Sequence, residues 1–527
     1  MTMTTVSASP ELAEPALLGW LSTMGLDVDY VRAKGITLYR VDGDGTERAV
    51  TDLVGGYGSL ILGHNHPELV AEAHRLLDAD TPVHAQFSRH PYANAVANRL
   101  NAILRRELGT AEAFLAIFAN TGAEAIEAGV KHAELDRVLR MRAELEAVDA
   151  GIAAARTAID VGARVNPAVL LRLDIDAAAG PVAGFEAVAE RVRAYNSEVV
   201  ARPPLLFALE GSFHGKLMGS VQLTFNEGYR TPFSALGVQS RFLPLNDREA
   251  LTAATLDAQV ALLDVVVRGG LVELAERAAP VVTAVLVEPV QGEGGIRPVS
   301  SGYAAGLREA CTTLGAPLIV DEIQSGMGRT GAFLASSLSG LRGDYYTLAK
   351  SLGGGLAKTS VLLVRESRYR PDFEFLHSST FAKDGYSCGI ALKVLDLLEA
   401  DDGRVYRVAA ERGRRVKEML SAVRAEFPDV IEEVRGTGLM LGMQFTAQER
   451  SSSAVLRENA PLLGYLLAGY LLREHDLRVF PTASNVTTLR FEPSVQITDA
   501  EITRLQAGLR AVCALLRAGD GDRLAQL

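Results

Sequence analysis

Four short apolar runs mark the middle of the chain: FLAIFAN (114–120), LLFALEG (205–211), VVTAVLVEP (281–289) and APLIVDEIQ (316–324). Each is too short for a typical helix and stops abruptly at polar or glycine residues, which predicts buried parallel strands. Helical spacing fills the intervals, as in SGYAAGLREACTTLG (301–315), with Gly315 the expected C-cap. Strand and helix in alternation predict an open α/β sheet covered on both faces. Ligands of such sheets bind beyond the carboxyl ends of the strands. Here those ends carry TGAE, FHG, VQGE and DEIQSG, so the chemically active residues are expected on one rim.

The pattern changes towards the C-terminus. Helical spacing from Gly389 to Leu420 gives way to VRGTGLMLGMQF, a strand punctuated by glycine. A helix around 455–474, a strand near LRVFPT, the run TTLRFEPSVQIT and a last helix follow. This predicts a small α+β domain, which the early hairpin-like segment GITLYRVDGDGTERAVTDL joins. The expected division is an N-terminal segment (1–84) contributing to the small domain, a large domain (85–385) and the C-terminal small domain (386–527). Residues 134–200, rich in Ala, Arg and Glu at helical spacing, are expected to form a helical insertion on the surface of the large domain.

A chain of 527 residues exceeds what one core supports, in keeping with two or more domains. Its 48% hydrophobic and 22% charged residues are those of a soluble globular protein. A net charge of -11 argues against a nucleic-acid partner. Cys311, Cys388 and Cys513 lie too far apart for a disulfide framework or a CxxC metal site. The N-terminus has no basic region followed by a long apolar stretch, so no signal peptide is expected. No apolar run approaches the roughly 20 residues that cross a bilayer. A cytoplasmic protein without a membrane partner is the expectation.

The stretch YYTLAKSLGGGLAK (345–358) is the first candidate for chemistry. It is not a P-loop, whose glycines precede the Lys-Ser/Thr pair rather than follow it. Lys358 suits a solvated charge, whereas Lys350 closes an apolar stretch. A desolvated lysine has a lowered pKa, and its neutral amine attacks carbonyl carbon. Asp321, at the end of PLIV, either pairs in a salt bridge or cap, or faces a ligand cation such as the protonated ring nitrogen of pyridoxal phosphate. The segment NTGAE (120–124) is either a plain helix cap or a phosphate cradle at a helix start. Phe213, in FHG, is either core or a ring stacked on a planar ligand. His64 and His66 of GHNHP have no Cys or His partners close in sequence, so no metal site is expected.

Taken in order, GHNHP (63–67), FANTGAEAIEAGVKHA (118–133), SFHGKLMGS (212–220), VEPVQGEGG (287–295), VDEIQSGMGRTG (320–331), LAKSLGGG (348–355), STF (379–381), VRGTGLMLGMQF (434–445) and LRFEPSVQIT (489–498) resemble the class III, or ornithine/ω-type, aminotransferases. The resemblance runs from about Gly63 to the C-terminus. It implies the PLP-dependent transferase fold type I: a mostly parallel seven-stranded sheet covered by helices, plus a smaller α+β domain. It further implies pyridoxal 5′-phosphate as cofactor, with Lys350 as its Schiff-base lysine and Asp321 on the pyridine nitrogen. Phe213 is then stacked on the ring and Gln324 contacts the phenolic oxygen. Thr121, Gly122 and Ala123 cradle the phosphate, and Thr380 reaches it from the partner subunit of a homodimer with shared active sites. His214 and Glu288, within the matched motifs, join the cofactor-binding set. Arg490 resembles the arginine for a donor α-carboxylate, and Glu293 the glutamate that pairs with it, although both also read as ordinary surface charges.

The implied reaction is a ping-pong transamination. An amino-acid donor, L-glutamate or similar, gives its amine to the cofactor, and an aldehyde or ketone acceptor takes it. Other fold-type-I enzymes (decarboxylase, racemase, aminomutase) use the same lysine and carboxylate, and a non-catalytic protein of this fold is the remaining alternative. Two departures stand out. Ala382-Lys383-Asp384-Gly385-Tyr386 replaces the loop that relatives carry after STF, and residues 134–200 lengthen the interval between Glu124 and His214. Together they point to a specialised acceptor, as in secondary-metabolite biosynthesis.

Overall fold

The four apolar runs form strands of a single sheet. In the computed structural model, which describes residues 11–526 apart from 86, 177 and 179, that sheet has seven strands. They are β1 (Phe114–Ala119), β2 (Leu205–Leu209), β3 (Gln239–Leu243), β4 (Val282–Val287), β5 (Leu318–Asp321), β6 (Tyr345–Leu348) and β7 (Ser360–Arg365), in the spatial order β1-β7-β6-β5-β4-β2-β3. The reading of the first ten residues as no signal peptide lies outside the described residues.

β4 and β5 are buried at every position and run parallel to each other and to their outer neighbours β2 and β6. This explains their unbroken apolar sequence. β7 alone runs antiparallel to both of its neighbours. β1 therefore sits at an edge and is only partly buried along its middle, although its sequence is as apolar as the central strands. The helix Ser301–Leu314 connects β4 to β5. Ser300 Oγ accepts from Tyr303 N at its start, and Gly315 takes the left-handed conformation at its end, as the sequence predicts.

The early hairpin pairs Thr37–Val41 with Glu47–Asp52, and the latter runs parallel to Leu477–Arg478. The N-terminal segment thus shares a sheet with the C-terminal region. A second core forms around the strands Ile431–Thr437, Met440–Phe445 and Thr488–Phe491. The long helix Gly385–Glu426 crosses from one core to the other. Cys388 to Leu398 pack with the large sheet, and Ala409 to Val423 pack with the second core. Between them the helix breaks, with Asp401, Asp402 and Gly403 all at positive φ. We therefore place the proposed division between the domains at this break rather than at residue 385.

The stretch 134–200 is helical, in the helices Gly122–Asp160 and Pro181–Val200, but it is not helical alone. It packs on a hairpin, Ala261–Arg268 with Leu271–Ala278, and builds a third core from residues such as Ile152, Phe185, Val192, Val265 and Val272. Gly269 and Gly270, both at positive φ, make the two-residue turn. Gly151 allows the close approach: a Cβ there would lie 2.7 Å from Val265 O.

Helix Gly122–Asp160 is tied to the sheet through His132. Its Nδ1 lies 2.8 Å from Tyr345 Oη, and its Nε2 accepts from Arg370 N at 3.1 Å. The second bond leaves Nδ1 to carry the hydrogen of a neutral ring. Burial lowers its pKa from 6.5 to about 4, with Asp136 pulling the other way and Arg370 adding to the lowering. The unfolded chain therefore binds this proton first, so stability falls as pH drops from 6.5 towards 4. The expected loss through this residue is on the order of 3 kcal/mol. Urea titrations of wild type and His132→Gln check it: the variant loses correspondingly less across that window.

Candidate functional site

Beyond the carboxyl ends of the central strands lies a cleft of about 380 Å³. Thr121, Gly122, Ala123, Phe213, His214, Glu288, Asp321, Gln324 and Lys350 all line it. Strand-end residues far apart in sequence thus converge on one rim, as the alternation of strands and helices predicts.

Lys350 follows β6 with φ +47, in the left-handed region that costs a side-chain-bearing residue about 1 kcal/mol or more. The turn is held by Ser351 Oγ, which donates to Gly58 O at 3.0 Å. Burial lowers the Lys350 pKa below the ordinary lysine value. The Glu492 and Glu293 carboxylates oppose that shift, Arg490 adds to it, and Asp321 opposes it more weakly. Lys358 lines the same cleft.

Asp321 ends β5. Its Oδ1 accepts from Ile323 N (3.1 Å) and Thr347 Oγ1 (3.3 Å), and its Oδ2 lies 2.8 Å from His214 Nδ1. Burial works against charge on His214, yet the carboxylate raises its pKa overall. Glu288 anchors the neighbouring backbone, accepting from Phe213 N at 2.9 Å and from Gly292 N at 3.1 Å. Its complete burial pushes its pKa up to about 7.

The segment NTGAE is a helix cap with a reciprocal pair of bonds. Thr121 Oγ1 accepts from Glu124 N at 3.3 Å, and Glu124 Oε2 accepts from Thr121 N at 3.0 Å and Asn120 N at 2.7 Å. The cap does not exclude a phosphate. The first-turn amides of Gly122 and Ala123 have no acceptor within the helix, and the Thr121 hydroxyl keeps its hydrogen to donate. A Cβ at Gly122 would lie 2.8 Å from Ile323 Cδ1, so this corner has room for backbone only. Thr380 is exposed beside Ser379, whose Oγ accepts from Asn120 Nδ2 at 2.8 Å. In the divergent loop, Asp384 Oδ1 caps the long helix at Ser387 N (2.7 Å) and Gly385 N donates to Val83 O (3.0 Å).

Arg490 and Glu293 are not surface charges. Arg490 is fully buried, with Nη1 donating to Glu293 Oε1 at 2.7 Å and Nη2 to Glu293 Oε2. Pro481 O, the ring of Tyr57, 5.0 Å from the guanidinium, and Glu492 Oε2, 3.7 Å from Nη1, also surround it. Burial opposes both charges, but each holds the other: Arg490 is raised and Glu293 lowered from their ordinary values. Gln324 turns its amide to Glu492, donating to both carboxylate oxygens at 2.8 and 2.9 Å. Glu492 escapes a reading of the sequence by motif alone. Alternation gives no signal either, because every residue from Thr488 to Glu492 is buried.

Among the described residues, no group of three or more His, Cys, Asp or Glu is placed to hold a metal ion, and no helix is long and apolar enough to cross a membrane. Removing one member of a buried ion pair strands the other. Glu293→Ala is expected to cost about 3 kcal/mol in urea unfolding, the low end for such pairs because Glu492 remains 3.7 Å from Arg490. The double variant Glu293→Ala/Arg490→Met is expected to recover most of that loss.

The sequence model of the family described as Aminotransferase class-III matches residues 22–512. Solved structures share the fold at low identity. An amine transaminase from an uncultivated Pseudomonas species superimposes with a TM-score of 0.66 at 21% identity, covering 98% of this chain and 99% of that one. The ornithine aminotransferase of Toxoplasma gondii ME49 gives 0.65 at 20% identity, covering 93% and 91%. A transaminase from the marine bacterium Virgibacillus gives 0.67 at 17% identity, covering 93% of each.

Proposed function

We propose how this protein works from the premise that it belongs to the class III aminotransferases, enzymes that use pyridoxal 5′-phosphate. The observation that carries the reading is the meeting of Lys350, its pKa lowered by burial, with Asp321 in one cleft beside a helix start.

When bound, pyridoxal 5′-phosphate supplies an electron sink for charge left at a substrate carbon. Lys350 Nζ would hold the cofactor covalently, and its freed amine would serve as the base for the donor α-carbon proton. Its lowered pKa keeps the amine neutral, and hence basic, at lower pH than an exposed lysine. Asp321, oriented by His214, Thr347 and the Ile323 amide, would keep a proton on the ring nitrogen. Phe213, its backbone fixed by Glu288, would pack on the ring, and Gln324 would donate to the phenolic oxygen. Thr121, Gly122 and Ala123 would hold the phosphate at the helix start.

Arg490 receives the α-carboxylate of a donor such as L-glutamate, for which Glu293 must swing aside. When Glu293 stays in place, as it does in this structure, the guanidinium is neutralised and the site suits an aldehyde or ketone without that carboxylate. The divergent 382–386 loop is the feature that fits a specialised acceptor, such as a biosynthetic aldehyde. The proposed assembly is a homodimer, and the exposed Phe375, Leu376 and Phe381 around Thr380 would provide apolar surface for it.

Two measurements test this. Purified wild type with added pyridoxal 5′-phosphate is expected to absorb in the visible, and L-glutamate to convert that band to the pyridoxamine form with release of a keto acid. Lys350→Ala loses the covalent band and more than 10³-fold of the turnover. A wild type that takes up no cofactor, or a band unchanged by every amino donor, overturns the reading. Size-exclusion chromatography of the holoenzyme is expected to show a dimer.

A further inference from the structure

Glu492 lies outside the cleft, with none of its surface exposed, yet it touches Gln324, which lines the cleft, and the buried Arg490. Both its oxygens accept from Gln324 Nε2, and Oε2 lies 3.7 Å from Arg490 Nη1. A carboxylate only accepts, so the nitrogen of the Gln324 amide, not its oxygen, must face Glu492. The same contact places Gln324 Oε1 against the backbone at Gly292, where a Cβ would come within 2.2 Å. At Gly58, with φ +83, a Cβ would meet Glu492 Oε1 at 3.2 Å and Gln324 Cγ at 3.3 Å. Two residues without side chains thus make room for one arrangement of the Gln324–Glu492 pair.

We propose that Glu492 is a positioning residue: it fixes the Gln324 amide so that one N–H, shared between the two carboxylate oxygens, is committed to Glu492 and the second remains for the phenolic oxygen of the cofactor. Without that acceptor, the amide can turn about its last bond and offer its carbonyl to an oxygen that needs a donor. The desolvated carboxylate makes the bond charge-assisted and correspondingly strong. It also stands first among the charges that favour the Lys350 ammonium, so a test has to keep its charge while moving its position. This inference rests on the reading of Gln324 and Lys350 above.

Glu492→Asp meets that requirement, since it keeps the charge and withdraws the oxygens from Gln324 by about one methylene. Apoenzyme of wild type, Glu492→Asp, Gln324→Ala and the double variant is titrated with pyridoxal 5′-phosphate, following the visible band and the pH at which it changes. Urea unfolding of each variant serves as the control for folding. Glu492→Asp is expected to weaken cofactor affinity about tenfold and to shift the pH midpoint of the band. In the Gln324→Ala background the same change alters affinity less than twofold and leaves the midpoint where Gln324→Ala put it. Effects that multiply independently, or a Glu492→Asp enzyme identical to wild type, overturn the proposal while leaving the cofactor assignment intact. A wild type that binds no pyridoxal 5′-phosphate overturns both.

Discussion

A buried cation must have its acceptors brought to it, and this requirement knits the separate parts of the chain together at the cleft. Arg329 is fully buried and reaches carbonyls from three distant segments: Gly58, Leu439 and Pro493. Arg490, from the C-terminal sheet, is held by Glu293, from the turn after β4. Asp52 makes the matching anionic junction, accepting from Arg478 Nη1 at 3.0 Å and lying 2.8 Å from His64 Nε2. Each junction would leave an uncompensated charge if its segments separated. The N-terminal hairpin, the large sheet and the C-terminal strands are therefore locked in register where a precise cavity is needed.

The carboxyl ends of the parallel strands complete that geometry. Backbone bonds saturate the strand interiors, so polar side chains accumulate where the strands stop. Asp321 and Lys350 follow strands that are direct neighbours, β5 and β6. Glu288 follows β4 and reaches across to the backbone of Phe213 beyond β2. The elaborated region at 134–200 and 261–278 has its own core and contributes no residue to the lining of the cleft.

Much of this was legible in the chain. Unbroken apolar runs of strand length that end in polar residues mark buried strands, which identified β2, β4 and β5 and the residues at their ends. β1 shares that composition yet lies at an edge, because sheet order depends on how β7 inserts, and periodicity carries no information on neighbours. The hairpin at 261–278 was hidden because its first run, ALLDVVVR, does not alternate, and its association with the 134–200 helices was hidden with it. The break in the long helix at Asp401–Gly403 was likewise hidden inside helical spacing.

The sequence by itself determined which residue types stand at the strand ends, the glycines that relieve close approaches, and the family to which the motifs belong. These are local properties, set by side-chain period, backbone conformation and motif order. Only the tertiary structure decided that Arg490 and Glu293 form a buried pair, that His214 orients Asp321, and that Glu492 claims the amide of Gln324. Those contacts join residues 107 to 197 positions apart. No local pattern specifies them, because what selects each partner is the free energy of leaving a charge unpaired once the cores have closed around it.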